Sequence, residues 1–388
     1  MARSADVVII GGAVVGSSIA YFLKRSGFAG SVVVVEKDPS YQHCATGRSV
    51  ASIRQQFTTE ENIRLSQFGL ALFRGIKEEF GPEADVSFRE RGYLIMATAE
   101  GRANLEQAIA LQRRLGADTE LLEPGEMRRR FPWMSVEGLA AAGWGRTGEG
   151  WVDPHALMTL FRNGARARGA AYEHDEAIGI DMRGGRAAGV RLRSGAAIAA
   201  GTVVIAAGWH SAKVAAMAGV DLPVRPKKRL VFVVDCREPL PGAGLMIDPS
   251  GLYFRPEGKF FLTGIQPPED ADPDTEDFEI DHAFFDSEVW PRLAHRVPAF
   301  EAVKVTNAWA CHYDYNLLDQ NAILGPHPEI GNLLLACGFS GHGLQHSPAV
   351  GRALAEMVIH GRSTSINVDR LGFGRILTGA AVRELNVY

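Results

Sequence analysis

The sequence predicts an α/β fold in which a nucleotide-binding domain, built on a parallel sheet, is assembled from three separated pieces and a mixed α+β domain is inserted in two blocks. Three observations carry this expectation. Residues 7–36 read as a buried strand, a glycine turn, an amphipathic helix and a second buried strand that ends in Glu36. Continuous apolar runs, the pattern of strands covered on both faces, recur far downstream at 203–207 and 332–336. Between them lies material of another character, with short strands and prolines concentrated from 224 to 309.

The first unit has the order of a dinucleotide-binding βαβ motif. Gly11 and Gly16 fill the slots for the tight turn and for close helix–strand packing, while Ala13, with Gly12 beside it, stands where a second glycine lets backbone approach a pyrophosphate. A methyl group at Ala13 narrows that approach without forbidding it. Val14 and Val15 open the helix, which runs over 14–26 and stops at Gly27, and its N-terminus attracts an anion. Glu36 is placed to accept hydrogen bonds from ribose hydroxyls.

The next segment, 37–54, is a long irregular loop with Lys37, Thr46, Gly47, Arg48 and Ser49, and loops of that length in compact domains are commonly functional. Helical spacing follows over 60–80, a strand over 93–96, a helix over 102–115 and a helix start at 123–131. A further helix ends at Gly169, and a hairpin joins 187–193 to 196–199 across Ser194 and Gly195. The apolar strand 203–207 leads into a second glycine turn, Ala207, Gly208 and Trp209. Strands are expected at 230–234, 251–254, 260–263 and 304–309, with an acidic, proline-rich surface loop at 267–277. The apolar strand 332–336 is followed by Gly338, Phe339, Ser340, Gly341, His342, Gly343, Leu344 and Gln345, then by a helix over 348–360. These elements assign residues 1–84, 148–218 and 315–388 to the nucleotide domain, and 85–147 and 219–314 to the second domain.

Composition limits the function. The 388 residues are 46% hydrophobic and 22% charged, and 41 basic against 45 acidic side chains give a net charge of −4. No general positive field draws nucleic acid or an anionic membrane. The run Arg128–Arg130 reads as the solvated face of a helix. The uncharged stretch 7–23 is interrupted by glycines, and nothing else approaches the roughly 18 apolar residues of a spanning helix. The four cysteines form no CxxC pair, and a reducing cytoplasm is the expected location. GFSGH does not satisfy GxSxG, and neither HExxH nor a P-loop is present, so no metal is expected.

The four glycine-bearing turns near 11–16, 45–54, 207–211 and 338–343 follow or flank buried strands, whose ends converge on one crevice, so they are expected to line a single extended ligand. Together VVIIGGAVVG, IRQQF, GWVDP, VVIAAGWHS, DQNAILGPHP and GFSGHGLQ resemble the D-amino-acid oxidase superfamily of FAD enzymes, in the branch of sarcosine oxidase, glycine oxidase and dimethylglycine dehydrogenase. Over nearly the whole chain the sequence is most similar to the FAD-dependent oxidoreductase domain-containing protein family, whose animal member assembles respiratory complex I.

That resemblance implies a discontinuous Rossmann-like FAD-binding domain and a substrate domain with a β-sheet over the flavin. It implies oxidation of the C–N bond of a small amino acid or N-methyl amino acid, with oxygen or an electron carrier as acceptor. It also implies that the turn at 338–345 and its helix stabilise the reduced ring. By position Arg54 matches the arginine that holds a substrate carboxylate in sarcosine oxidase, and Tyr253 matches an active-site tyrosine. Gln266 stands at a histidine, Gln345 at a lysine that assists carboxylate binding, and Leu262 at the oxygen-activating lysine, which shifts the expected acceptor towards an electron carrier. Cys311 lies where sarcosine oxidase attaches its flavin, though the more similar family lacks that cysteine, so the expected FAD is non-covalent with a link through Cys311 as the alternative. Tyr313 and His342 are further candidates around the ring. The scaffold also admits a 2-hydroxy acid or glycerol-phosphate oxidoreductase, or a non-catalytic assembly factor that keeps FAD for structure.

Overall fold

The computed structural model describes residues 3–387, whose strands form two large sheets and one short pair. The first sheet is centred on Arg3–Ile10, paired in parallel with Val32–Glu36 on one side and Ala197–Ile205 on the other. Ala171–His174 extends it beyond Val32–Glu36, and Leu333–Cys337 followed by antiparallel Ile323–Pro326 extends it beyond Ala197–Ile205. Segments far apart in the chain thus form one sheet, because each apolar run needs cover on both faces.

Ala197–Ile205 replaces two expected elements. One edge of this strand pairs along its length with Arg3–Ile10. Its other edge is shared: residues 197–199 pair antiparallel with Arg186–Leu192, and 203–205 pair parallel with Leu333–Cys337. The hairpin arm and the buried strand are therefore one continuous strand, whose partly exposed beginning and fully buried end reflect its two different neighbours.

The helices Val14–Arg25, Pro154–Ala167 and Gly343–His360 bury one face of this sheet. The last of these begins before the proline that was expected to open it. Pro348 lies inside it and cannot donate to the Leu344 carbonyl four residues earlier. Ser347 Oγ donates to that carbonyl instead, at 2.8 Å, and the Ser347 carbonyl accepts from Ser18 Oγ at 2.7 Å. The helix consequently starts at Gly343, inside the glycine turn. The expected helix 60–80 divides at Gly75 into Glu60–Arg74 and Ile76–Phe80.

The second large sheet runs Lys304–Asn316, Val224–Asp235, Phe260–Gly264, Tyr253–Glu257, Leu245–Ile247, Tyr93–Ala97, Ala141–Gly145, Thr119–Leu122. Strand alternation separates its faces. Leu230, Phe232 and Val234 enter a core with Phe254, Phe261 and Phe300, whereas Val231, Val233 and Leu262 pack on Val50 and Trp309. The loop 267–277 is more than an acidic surface. Asp272 is buried on Arg229, and Asp274, Glu276 and Asp277 pair with Lys227, Lys213 and Lys228, which draws the loop onto the sheet.

Backbone runs against backbone where the first sheet meets its first helix. Gly11 has φ 101°, and a Cβ there would lie 2.3 Å from the Ala206 carbonyl oxygen; one on Gly16 would lie 1.9 Å from the Gly11 carbonyl oxygen. Gly16→Val is expected to lower stability by roughly 1–3 kcal/mol or more, since it overpacks a contact made of main chain. Thermal unfolding of the variant checks this, and an unchanged midpoint would contradict it.

Candidate active site

Several separated segments converge on a cavity of about 590 Å³ between the two sheets. This is the size of a cofactor site. Gly11, Ala13, Val14 and Val15 line it from the first turn, and Glu36 and Lys37 from the end of the second strand. Thr46 and Ser49 contribute from the irregular loop, Ala207, Gly208 and Trp209 from the second glycine turn, and Phe339, Gly341, Gly343 and Leu344 from the third.

Local chemistry holds each wall in place. Ala13 caps the helix with an ordinary φ of −69°, so its methyl group carries no backbone strain. The Val14 N–H donates to Thr46 Oγ1 at 3.4 Å, tying the helix start to the loop. Glu36 accepts from the Gly12 N–H at 2.7 Å and the Asp38 N–H at 2.8 Å; burial raises its pKa, while these two donors pull against that rise. His210 is pushed down to about 4 by burial and then by Lys37. It is therefore neutral near pH 7, and its Nε2 accepts from the Lys37 ammonium at 2.8 Å.

A smaller chamber of about 40 Å³ adjoins the cavity. Ser49, Cys311, Tyr313, Gly341 and Leu344 line both, so this group marks the junction. Arg48, Tyr253, Gln266 and Gln345 line the chamber alone. Burial raises the Tyr253 phenol well above its ordinary value and the Tyr313 phenol to about 12, which keeps both protonated. Burial likewise pushes the Cys311 thiol up to about 12, with its Sγ 3.9 Å from the Ala45 carbonyl oxygen. As it stands this sulfur is a thiol rather than a nucleophilic thiolate.

Other expected residues lie behind the walls. Gly12 donates to Glu36, Gly16 packs on Gly11, and Gly47 packs on His155. Ser340 Oγ accepts from the Asn316 N–H at 3.0 Å, fixing the turn Gly338–Gly341 to the long strand. Leu262 is packed among apolar side chains.

Arg54 lines neither space and sits beside the chamber in a cluster of its own. Its Nη1 donates to the Gln56 carbonyl at 2.6 Å, and its Nη2 contacts His342 Nε2 at 3.1 Å and the Asn386 carbonyl. Burial, then the Arg54 charge, holds His342 well below its usual pKa, so its neutral Nε2 accepts. The C-terminal segment reaches Arg54 because Glu384, wholly buried, accepts from Thr58, Thr59 and Asn62. Gln345 Oε1 accepts from the Arg54 backbone N–H at 2.9 Å, which links this cluster to the chamber.

The structure adds residues that the sequence reading missed. Phe278, just after the acidic loop, has its ring centre 4.6 Å from that of His312 and lines the cavity. Nothing in a loop of that composition signals this role. Arg229 lines the chamber from just before the expected strand 230–234; the strand in fact runs Val224–Asp235, and period-two alternation places Arg229 on the face of Val231 and Val233. Glu149 anchors the Arg54 segment: its Oε1 accepts from the Gln55 and Gln56 N–H groups at 2.5 and 3.1 Å, and its Oε2 from Gln56 Nε2 at 2.8 Å.

Burial pushes the Glu149 carboxyl up from 4.5 to about 7, against the pull of those donors and of Arg54. A carboxyl raised on folding contributes stability that is complete below about pH 4.5 and is lost as pH rises through about 7. Glu149→Gln is expected to abolish that dependence, worth about 3 kcal/mol across the window. Denaturant midpoints of both proteins at pH 5 and pH 8 check this, and parallel pH profiles would contradict it.

Comparison with known proteins agrees with this geometry. A family model described as FAD dependent oxidoreductase matches residues 6–357. FAD-dependent oxidoreductase domain-containing protein 1 of Xenopus laevis is 41% identical over 99% of this chain and 85% of its own length. The crystal structure of L-proline dehydrogenase from P. horikoshii superimposes with a TM-score of 0.86 at 28% identity, covering 98% of this chain and 99% of that one. Glycine oxidase from Geobacillus kaustophilus superimposes with a TM-score of 0.81 at 26% identity, covering 95% and 98%. With its turns lining one cavity and its sequence matching that model over most of its length, the chain belongs to the family of FAD-dependent oxidoreductases.

Proposed function

We propose that the protein oxidises the C–N bond of a small amino acid or N-methyl amino acid, with FAD in the long cavity and the substrate in the adjoining chamber. The observation that carries this reading is the junction at Cys311, Tyr313 and Gly341, where a cofactor-sized space opens into a small one lined by polar side chains. Glycine oxidase and L-proline dehydrogenase, two similar solved structures, act by their names on small amino acids.

The residues present fit the cofactor. Gly11, packed on the Ala206 carbonyl, lines the cavity beside the second glycine turn, the helix from Val14 opens at the pyrophosphate end, and Glu36 keeps acceptor capacity for ribose hydroxyls. When bound, FAD supplies the two-electron acceptor for a hydride from the carbon that bears the nitrogen. The N-terminus of Gly343–His360 sets positive potential at the junction. Tyr253, protonated at neutral pH, is a hydrogen-bond donor rather than a base. The resulting imine is hydrolysed by water to a carbonyl compound and free amine. Burial of Cys311 as a protonated thiol supports a non-covalent flavin, with a link through Cys311 as the alternative.

Anaerobic mixing of the flavin-loaded protein with glycine, sarcosine, dimethylglycine and proline is expected to bleach the visible flavin bands with at least one of them. If all four leave the spectrum unchanged while a 2-hydroxy acid bleaches it without amine release, the C–N reading fails.

A further inference from the structure

We propose that Arg229 binds the substrate carboxylate in the small chamber and that Gln266 accepts the adjacent N–H, so that the chamber takes a compact α-amino or N-alkyl amino acid. This deepens the preceding reading and rests on it for the amine.

Arg229 stands directly opposite Cys311 in the paired strands, at the junction with the long cavity. It is 4% exposed. Its two terminal nitrogens grip Asp272 at 2.8 and 3.0 Å, and its guanidinium carbon lies 5.3 Å from the centre of the Tyr313 ring. This clamp fixes the plane of the fork and leaves Nε, which is buried and has no partner among the described residues. The Oε1 atom of Gln266 is likewise buried without a partner. A lone donor and a lone acceptor beside one small space are costly unless an occupant meets both.

Charge and size narrow that occupant. The Arg229–Asp272 pair is neutral as a unit, whereas Arg48, also in the chamber wall, is held by the Gln42 and Ala310 carbonyls and the Phe278 ring, with no carboxylate paired to it among the described residues. The wall therefore carries a surplus positive charge that suits a carboxylate. A volume of about 40 Å³ restricts the occupant to a compact molecule. Arg54, whose terminal nitrogens already serve Gln56, Asn386 and His342, lies outside this wall.

The test is calorimetric titration of the flavin-loaded protein with propionate and with its neutral isostere propionamide. Because Arg229→Gln alone strands a buried Asp272, the variant is the pair Arg229→Gln/Asp272→Asn, with Arg229→Lys as a second variant that keeps the charge but lacks Nε. Propionate affinity is expected to fall about tenfold or more in both, with propionamide affinity and flavin content unchanged, and to change less than about threefold in Arg54→Gln. Wild-type propionate affinity in either Arg229 variant, or its abolition by Arg54→Gln alone, overturns the assignment. Propionate binding that depends on Arg229, in a protein whose flavin no amino acid reduces, upholds the carboxylate site and rejects the amine reading instead.

Discussion

The site depends on main chain touching main chain at the ends of the parallel strands. Gly11 presses on the Ala206 carbonyl, and Gly16 presses on the Gly11 carbonyl. Side chains there would hold the helix Val14–Arg25 away from the sheet and the second glycine turn away from the first. With only hydrogen atoms at these positions, the turns after Arg3–Ile10 and Ala197–Ile205 meet around one space, and the loop after Val32–Glu36 closes its side. The cavity is thus a consequence of backbone proximity, and its electrostatics follow from the helix ends that the same proximity aims inward.

The second sheet turns that cleft into a reaction chamber. Its apolar face builds an independent core around Phe232, Phe254 and Phe300. Its other face supplies Tyr253, Arg229, Cys311 and Tyr313. The charge balance on that face depends on the loop 267–277, whose carboxylates neutralise basic side chains of Val224–Asp235, and Phe278 just beyond it lines the cavity. A buried Arg–Asp pair adds little net stability, but it fixes geometry. Here it fixes the orientation of a side chain at the cavity junction.

Local signals made the first half of this account legible. The apolar runs at 7–10, 32–35 and 332–336, the glycine spacing and Glu36 reveal the βαβ unit and the parallel sheet, because periodicity and turn chemistry act over a few residues. Elements set by distant partners were harder to read. The strand Ala197–Ile205 looked like two because its neighbours change midway. The helix at Gly343 was placed late because Ser347 compensates Pro348, a substitution of one donor for another that no pattern displays. The location of Arg54 depends on Glu384 docking the C-terminal segment more than 300 residues away in the chain. Arg229 was not singled out because it precedes the apolar run 230–234 that marked the strand, which in fact begins at Val224.

The most direct measurement of the central proposal, that this cavity holds FAD and holds it without a covalent bond, is the visible spectrum of the purified protein before and after acid precipitation. Flavin bands in the native protein and a yellow supernatant over a colourless pellet are expected. A protein that is colourless and stays so with added FAD would contradict the cofactor assignment, and a yellow pellet would contradict the reading of Cys311 as an unlinked thiol.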